Sequence, residues 1–99
     1  MLDRDNILNF LQDNLEYLKE HFYISKIALF GSFSRNEQNS NSDIDILVDF
    51  RDDIKNIYEV KRELKEFLSS SLHKDIDLAR EKYLKPYAKR YILKEAIYV

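Results

Sequence analysis

The sequence has no cysteine, only one glycine and only one proline. Without cysteine it has no disulfide, no thiol nucleophile and no cysteine-based zinc site. No apolar run approaches the length of a membrane span, and no signal peptide precedes the charged start. The 16 basic and 18 acidic residues nearly balance, which argues against the basic stripe of a nonspecific nucleic-acid binder. We therefore expect a cytoplasmic protein that contacts neither a membrane nor nucleic acid directly.

The length of 99 residues predicts a single domain that spans residues 1–99. A chain of this size buries roughly 60–68% of its unfolded surface, which suffices for one core. A separate substrate domain is not expected within these residues.

The only glycine, Gly31, follows an apolar segment at residues 24–30 that predicts a buried strand. Glycine adopts backbone angles barred to other residues and lets a ligand approach the backbone closely. Either Ser32 or Ser34 could cap a short helix through Arg35, whose first N–H groups would suit a triphosphate. In that helix Arg35 either meets a phosphate or pairs with an aspartate and holds the turn. On its own a Gly-Ser pair after a strand predicts only a turn.

Ten residues separate Ser32 from Asp43, and most of them form a polar loop. Residues 43–50 then alternate between apolar and acidic side chains, which predicts a strand. On one face of that strand Asp43 and Asp45 lie roughly 6.5–7 Å apart, so both carboxylates can converge on one or two Mg²⁺ ions. The alternative is an edge strand with a solvated face, which would carry charges of both signs. Asp49 lies further along the same face and is either a third participant or merely exposed.

A third strand is predicted over residues 74–79, with Asp75 and Asp77 on its polar side. One further carboxylate could complete a metal site and take the proton from an attacking hydroxyl. We choose Asp77, because its apolar neighbours predict a more buried position, and we keep Asp75 as the second choice. The alternative is that the acid only caps the next helix.

Helices are predicted over residues 3–21, 53–68 and 86–95 from their apolar spacing. Asp3 and Asp53 are the expected caps of the first two, and a run of serines is expected to end the second. The third helix begins at proline and is expected to present an apolar side formed by Tyr87, Tyr91, Ile92 and Ala96. The seven tyrosines are expected mainly in packing, with a partner surface as an alternative and a tyrosine acceptor within the chain as another.

The completed pattern resembles the nucleotidyltransferase superfamily that includes DNA polymerase beta. Within it, the chain is similar to the minimal nucleotidyltransferases (MNT) of HEPN–MNT toxin–antitoxin pairs. The residues that carry the resemblance are Phe30, Gly31, Ser32, Asp43, Ile44, Asp45, Ile46 and Asp77, with weaker similarity at the ending Glu95, Ala96 and Ile97. Two positions depart from the family pattern, Asn36 in place of a frequent glycine and Ser34 in place of a common alanine. Neither departure removes a carboxylate.

The resemblance implies an α+β nucleotidyltransferase fold, a small mixed β-sheet packed against helices on one side. It also implies Mg²⁺-dependent use of ATP, with two ions expected, to transfer AMP to a tyrosine of a partner HEPN toxin. By that comparison Asp43 and Asp45 bind metal and triphosphate, and Asp77 completes the site and activates the acceptor. Gly31 and Ser32 hold phosphates, and Arg35 is the remaining nucleotide-binding candidate.

Two other functions remain open from the sequence. The protein could be a non-catalytic antitoxin that neutralises its partner by forming a complex. It could instead be a small-molecule nucleotidyltransferase, with a homo-oligomer building the acceptor pocket between chains. The short chain favours an acceptor supplied by a partner protein, and hence a hetero-oligomer.

Overall fold

The computed structural model describes residues 2–99. Its elements in chain order are α1 (Arg4–Asp13), α2 (Leu15–Phe22), β1 (Ile24–Phe30), β2 (Ile44–Phe50), α3 (Ile57–Leu72), β3 (Ile76–Arg80), α4 (Pro86–Glu95) and β4 (Ile97–Tyr98), with a short 3₁₀ turn at Glu81–Tyr83. The strands form one sheet in the order β3-β2-β1-β4. Strand β1 is antiparallel to β2 and β4, whereas β2 and β3 are parallel. The predicted α+β fold with a small mixed sheet is confirmed.

Both faces of the sheet are covered by other parts of the chain, and β1 has buried apolar residues on both sides. On one face Ile27 and Leu29 join the main core, which includes buried residues of α1, α2 and α3. On the other face Ala28 and Phe30 form a second cluster with Leu47 of β2. Ile92 and Ala96, from α4 and its C-terminal end, pack against that second cluster. The expectation that all helices lie on one side of the sheet is therefore wrong for α4.

The predicted first helix is two helices that meet at Asn14. Asp3 is its N-cap, as predicted, and accepts the Asn6 N–H at 2.8 Å. The Asn14 side-chain amide donates to the Phe10 carbonyl oxygen at 2.8 Å. Such local side-chain bonds offer the backbone an alternative to continuing the helix. The apolar spacing continues across Asn14, so it could not reveal the break.

The predicted bounds of the second helix are also wrong, since α3 begins at Ile57 and ends at Leu72. Asp53 precedes it and does not cap it, because the N-cap is Asn56, which makes no side-chain cap bond. The serines lie inside the last turn rather than ending the helix. The buried residues of α3 recur every four positions, and the last of them holds that turn against the core: Val60, Leu64, Leu68 and Leu72.

The C-terminal part agrees with prediction at α4 and differs in two respects. The short strand β4 was not predicted, because two residues are too few for an alternating pattern; it pairs Tyr98 with Ala28. Tyr87 and Tyr91 are each 70% exposed, so they do not form the expected apolar side of α4. No helix within residues 2–99 is long and apolar enough to cross a membrane.

Candidate active site

The sheet brings the end of β1 and the starts of β2 and β3 to one edge. Phe30, the last residue of β1, lies opposite Asp45 in the antiparallel pair. Asp45 in turn lies beside Asp77 in the parallel pair of β2 and β3. The turn at Gly31 and the acidic residues therefore meet at this edge, because strand register places them there.

The turn after β1 is not the predicted short helix. The N–H groups of Ser34, Arg35 and Asn36 donate to carbonyl oxygens three residues earlier, at 3.1, 3.2 and 3.3 Å. These are successive tight turns, and Asn36 ends them in the left-handed region with φ of 57°. Ser34 caps no helix; it is buried, and its hydroxyl donates to the Gly31 carbonyl oxygen at 2.7 Å. No helix N-terminus therefore faces this site from the turn after β1.

Gly31 leaves room for the side chain of Asp45. A Cβ atom at Gly31 would lie 1.9 Å from the Oδ2 atom of Asp45. Gly31 also has a φ of +76°, which disfavours any residue with a side chain. The absent side chain thus makes the space in which the Asp45 carboxylate lies.

Asp45 is half-buried and stands among other acids. Burial, followed by the negative charge and the hydrogen-bonded carboxyl of Asp77, raises the pKa of Asp45 to about 6. The charges of Asp43 and Glu95 raise it further. Asp43 and Asp77 themselves are exposed to solvent. The site therefore concentrates negative charge around one partly desolvated carboxylate.

These residues fit a divalent cation by their chemistry. Carboxylate oxygens are the ligands that Mg²⁺ prefers, and a bound cation would relieve the repulsion that raises the pKa of Asp45. Across residues 2–99 the side chains as they lie do not bring three acidic or histidine groups into range of one ion. Asp45 and Asp77 lie side by side on β2 and β3, and Asp43 precedes β2 with an exposed side chain. These three residues are the ones that could hold the metal.

Register distinguishes the two candidates on β3. Asp77 lies within β3 and beside Asp45, although it is exposed and not buried as its neighbours had predicted. Asp75 precedes the strand, where its carbonyl oxygen accepts the Ile44 N–H at 3.0 Å. Asp49 lies at the other end of β2 and accepts the Lys82 N–H at 3.3 Å. The structure thus brings Asp77 to Asp45 and leaves Asp49 outside the group.

Arg35 is bound by two glutamates and not by an aspartate. Its Nε atom lies 2.7 Å from the Oε1 atom of Glu37, and its guanidinium also forms an ion pair with Glu95. Glu95 additionally accepts the Gly31 N–H at 3.2 Å through its other oxygen. This use of Glu95 was not predicted from the sequence, because 64 positions separate it from Gly31. The available signal was an acid at the end of the predicted third helix, directly before the final residues of the chain.

The remaining donors of the turn are available to an anion. Within residues 2–99, the N–H groups of Ser32 and Phe33 and the Ser32 hydroxyl donate to no protein acceptor. Phe33 is buried, so its side chain anchors the turn while its N–H stays unpaired. The site thus places unpaired N–H and hydroxyl donors of the turn at the same edge of the sheet as the aspartates, an arrangement suited to a metal-bound polyphosphate.

Comparison with known proteins identifies relatives of the whole chain. A profile of the nucleotidyltransferase domain family matches residues 11–99. A protein adenylyltransferase named MntA from Thermococcus cleftensis is 35% identical over 99 residues, which cover 100% of this chain and 98% of the relative.

Two solved toxin–antitoxin complexes contain chains similar to this one. In a complex with AMP-PNP, the TM-score is 0.66 at 31% identity, with 98% of this chain and 72% of that chain covered. The second complex contains a tri-AMPylated Shewanella oneidensis HEPN toxin and an MNT antitoxin. Its TM-score is 0.56 at 27% identity, with 96% of this chain and 66% of that chain covered.

Proposed function

The chain belongs to the nucleotidyltransferase domain family, and we propose that it transfers AMP from ATP to a tyrosine of a HEPN-type toxin, which it thereby neutralises. The observation that carries the proposal is the pair of Asp45 and Asp77 beside a turn with unpaired donors. The relatives named as protein adenylyltransferases support protein as the acceptor. The complex that contains an AMPylated HEPN toxin supports the class of partner.

In this mechanism the turn binds ATP and the acids organise the reaction. The Ser32 N–H and hydroxyl and the Phe33 N–H bind phosphate oxygens. Asp43, Asp45 and Asp77 would hold Mg²⁺, two ions being expected, which when bound neutralises charge on the triphosphate. Positioning and charge neutralisation are the main requirements for in-line transfer at phosphorus.

Asp77 acts as the base when the acceptor tyrosine attacks ATP. The tyrosine oxygen attacks the α-phosphorus, the bond from that phosphorus to the bridging oxygen of the β-phosphate breaks, and pyrophosphate leaves. Asp77 takes the proton of the tyrosine hydroxyl, since it is exposed at the sheet edge where a partner's side chain can reach it. A cytoplasmic location, where ATP is available, belongs to the same proposal.

Intact-mass analysis of the HEPN-type protein that copurifies with the chain tests this function. The partner is incubated with MgATP and with wild type or the Asp43→Asn/Asp45→Asn variant. A matched control is Asp52→Asn/Asp53→Asn, which removes two exposed acids outside the site. We expect a mass gain of one or more AMP units with wild type and with the control, and none with the site variant. No gain with wild type, while the toxin stays bound and neutralised, would instead establish a non-catalytic binding antitoxin.

A further inference from the structure

Glu95 connects the C-terminal end of α4 to two residues of the turn that follows β1, Gly31 and Arg35. One carboxylate oxygen accepts the Gly31 N–H at 3.2 Å, and the other forms the ion pair with Arg35. The Glu95 side chain is only 20% exposed, against 44% for Arg35, so the carboxylate is the more enclosed member of the pair. A single side chain thus bridges the first residue of the turn and Arg35 near its end.

The turn needs such a contact because it has little regular structure of its own. Its internal bonds are local, from one residue to another three or five positions away. Gly31 and Asn36 both have positive φ values, at +76° and 57°. Besides the buried side chains of Phe33 and Ser34 and the packing of Gly31 against Asp45, the Glu95 contacts join the turn to a distant element.

We propose that Glu95 is a positioning residue for nucleotide binding, which clamps the turn so that the unpaired donors of Ser32 and Phe33 face the phosphates. The inference rests on the proposed function, since it concerns the binding of the nucleotide that the reaction uses. Arg35 acts in this clamp as the partner of Glu95. The Gly31 N–H is likewise part of the clamp and not a phosphate donor.

The two contacts of Glu95 can be separated by substitution. Glu95→Gln keeps an oxygen for the Gly31 N–H but loses the charge that binds Arg35, whereas Glu95→Ala loses both contacts. We expect the Kd for AMP-PNP with Mg²⁺ to rise about tenfold in Glu95→Ala and by a smaller factor in Glu95→Gln. In AMP transfer, KM for ATP should rise by similar factors while kcat changes less. A merely structural role would lower Tm without this split between KM and kcat.

A double variant tests whether Arg35 and Glu95 act together. If they form one clamp, the Kd of Arg35→Gln/Glu95→Gln for AMP-PNP should not exceed the higher of the two Kd values of the single variants. The control is the exposed ion pair of α3, in which Arg62 lies 3.4 Å from Glu66. Arg62→Gln and Glu66→Gln make the same chemical changes and should leave the Kd unchanged.

Titration calorimetry with AMP-PNP separates this inference from the proposed function. An unchanged Kd in Glu95→Ala, with wild type binding normally, would overturn the clamp whatever the transfer assay gives. Independent, additive losses from Arg35→Gln and Glu95→Gln would also overturn it. If wild type binds AMP-PNP but transfers no AMP, the proposed transfer is wrong, and graded weakening in Glu95→Gln and Glu95→Ala would still support the clamp.

Discussion

Gly31→Ala is the substitution whose consequences the structure defines most sharply. The added Cβ would lie 1.9 Å from the Asp45 Oδ2 atom and 2.7 Å from its Cγ atom. Asp45 cannot retreat as a whole, because its backbone is paired with both Phe30 and Asp77. Its carboxylate must therefore rotate out of the space beside residue 31.

The expected cost has two parts. Placing alanine at a φ of +76° costs about 1–2 kcal/mol, and the remaining overlap adds about 1 kcal/mol. For a domain of this size each kcal/mol lowers Tm by about 4–8 °C. Displacement of the Asp45 carboxylate by about 1 Å or more should reduce AMP transfer by about 100-fold.

Asn36→Ala is the matched control, because it places alanine in the left-handed region without touching Asp45. Asn36 has a φ of 57° and an exposed side chain. The control should lose about 1 kcal/mol of stability and keep its activity within about threefold. Thermal unfolding and a transfer assay measure both effects. Full activity in Gly31→Ala would refute the conclusion that the glycine exists to make room for Asp45.

Three further predictions concern stability. The pKa of Asp45, raised to about 6 from 3.8, makes the folded state bind the proton more tightly, so this group's contribution to stability should fall as pH rises from about 4 to about 6. In Mg²⁺-free buffer above pH 6, Asp45→Asn should therefore be more stable than wild type by about 1–2 kcal/mol after allowance for solvent screening. A variant less stable than wild type under these conditions would contradict the raised pKa of Asp45. Leu72→Ala should lower the free energy of unfolding by about 2–4 kcal/mol in urea, because Leu72 is buried in the last turn of α3. The exposed Ser70→Ala should change it by less than about 0.5 kcal/mol. Equal changes in the two variants would mean that α3 ends before Leu72. Ser34→Ala should lower stability by about 1 kcal/mol through loss of the bond to the Gly31 carbonyl oxygen, and no change in Tm would contradict that role.

The sequence predicted the parts of the fold that depend on local periodicity. The strand at Ile24–Phe30 and the helix at Pro86–Glu95 have the predicted bounds, since apolar runs and a first-turn proline are strong local signals. The break at Asn14 and the extension of α3 to Leu72 could not be predicted in this way. The break involves the hydrogen bond from the Asn14 side chain to the Phe10 carbonyl oxygen, and the extension depends on the burial of Leu72 in the core.

The candidate site likewise has residues that the sequence predicted and contacts that it did not predict. Asp43 and Asp45 were found from their spacing along one strand, and Asp77 from the acid on the next predicted strand. Their roles as metal ligands stay predictions, as do phosphate binding by Ser32 and the roles of Gly31 and Arg35 through Glu95. The contacts of Glu95 with Gly31 and Arg35 join residues far apart in the sequence, and no local pattern indicates them.

The transfer of AMP through the pair of Asp45 and Asp77 is the central claim, and Asp77→Asn tests it most directly. The matched variant Asp75→Asn removes an exposed acid of the same segment that lies outside β3. The measurement is the intact mass of the HEPN-type partner after incubation with MgATP and each protein. We predict gains of AMP units with wild type and Asp75→Asn and at least a 100-fold slower gain with Asp77→Asn. Equal transfer by Asp77→Asn and wild type would contradict the account.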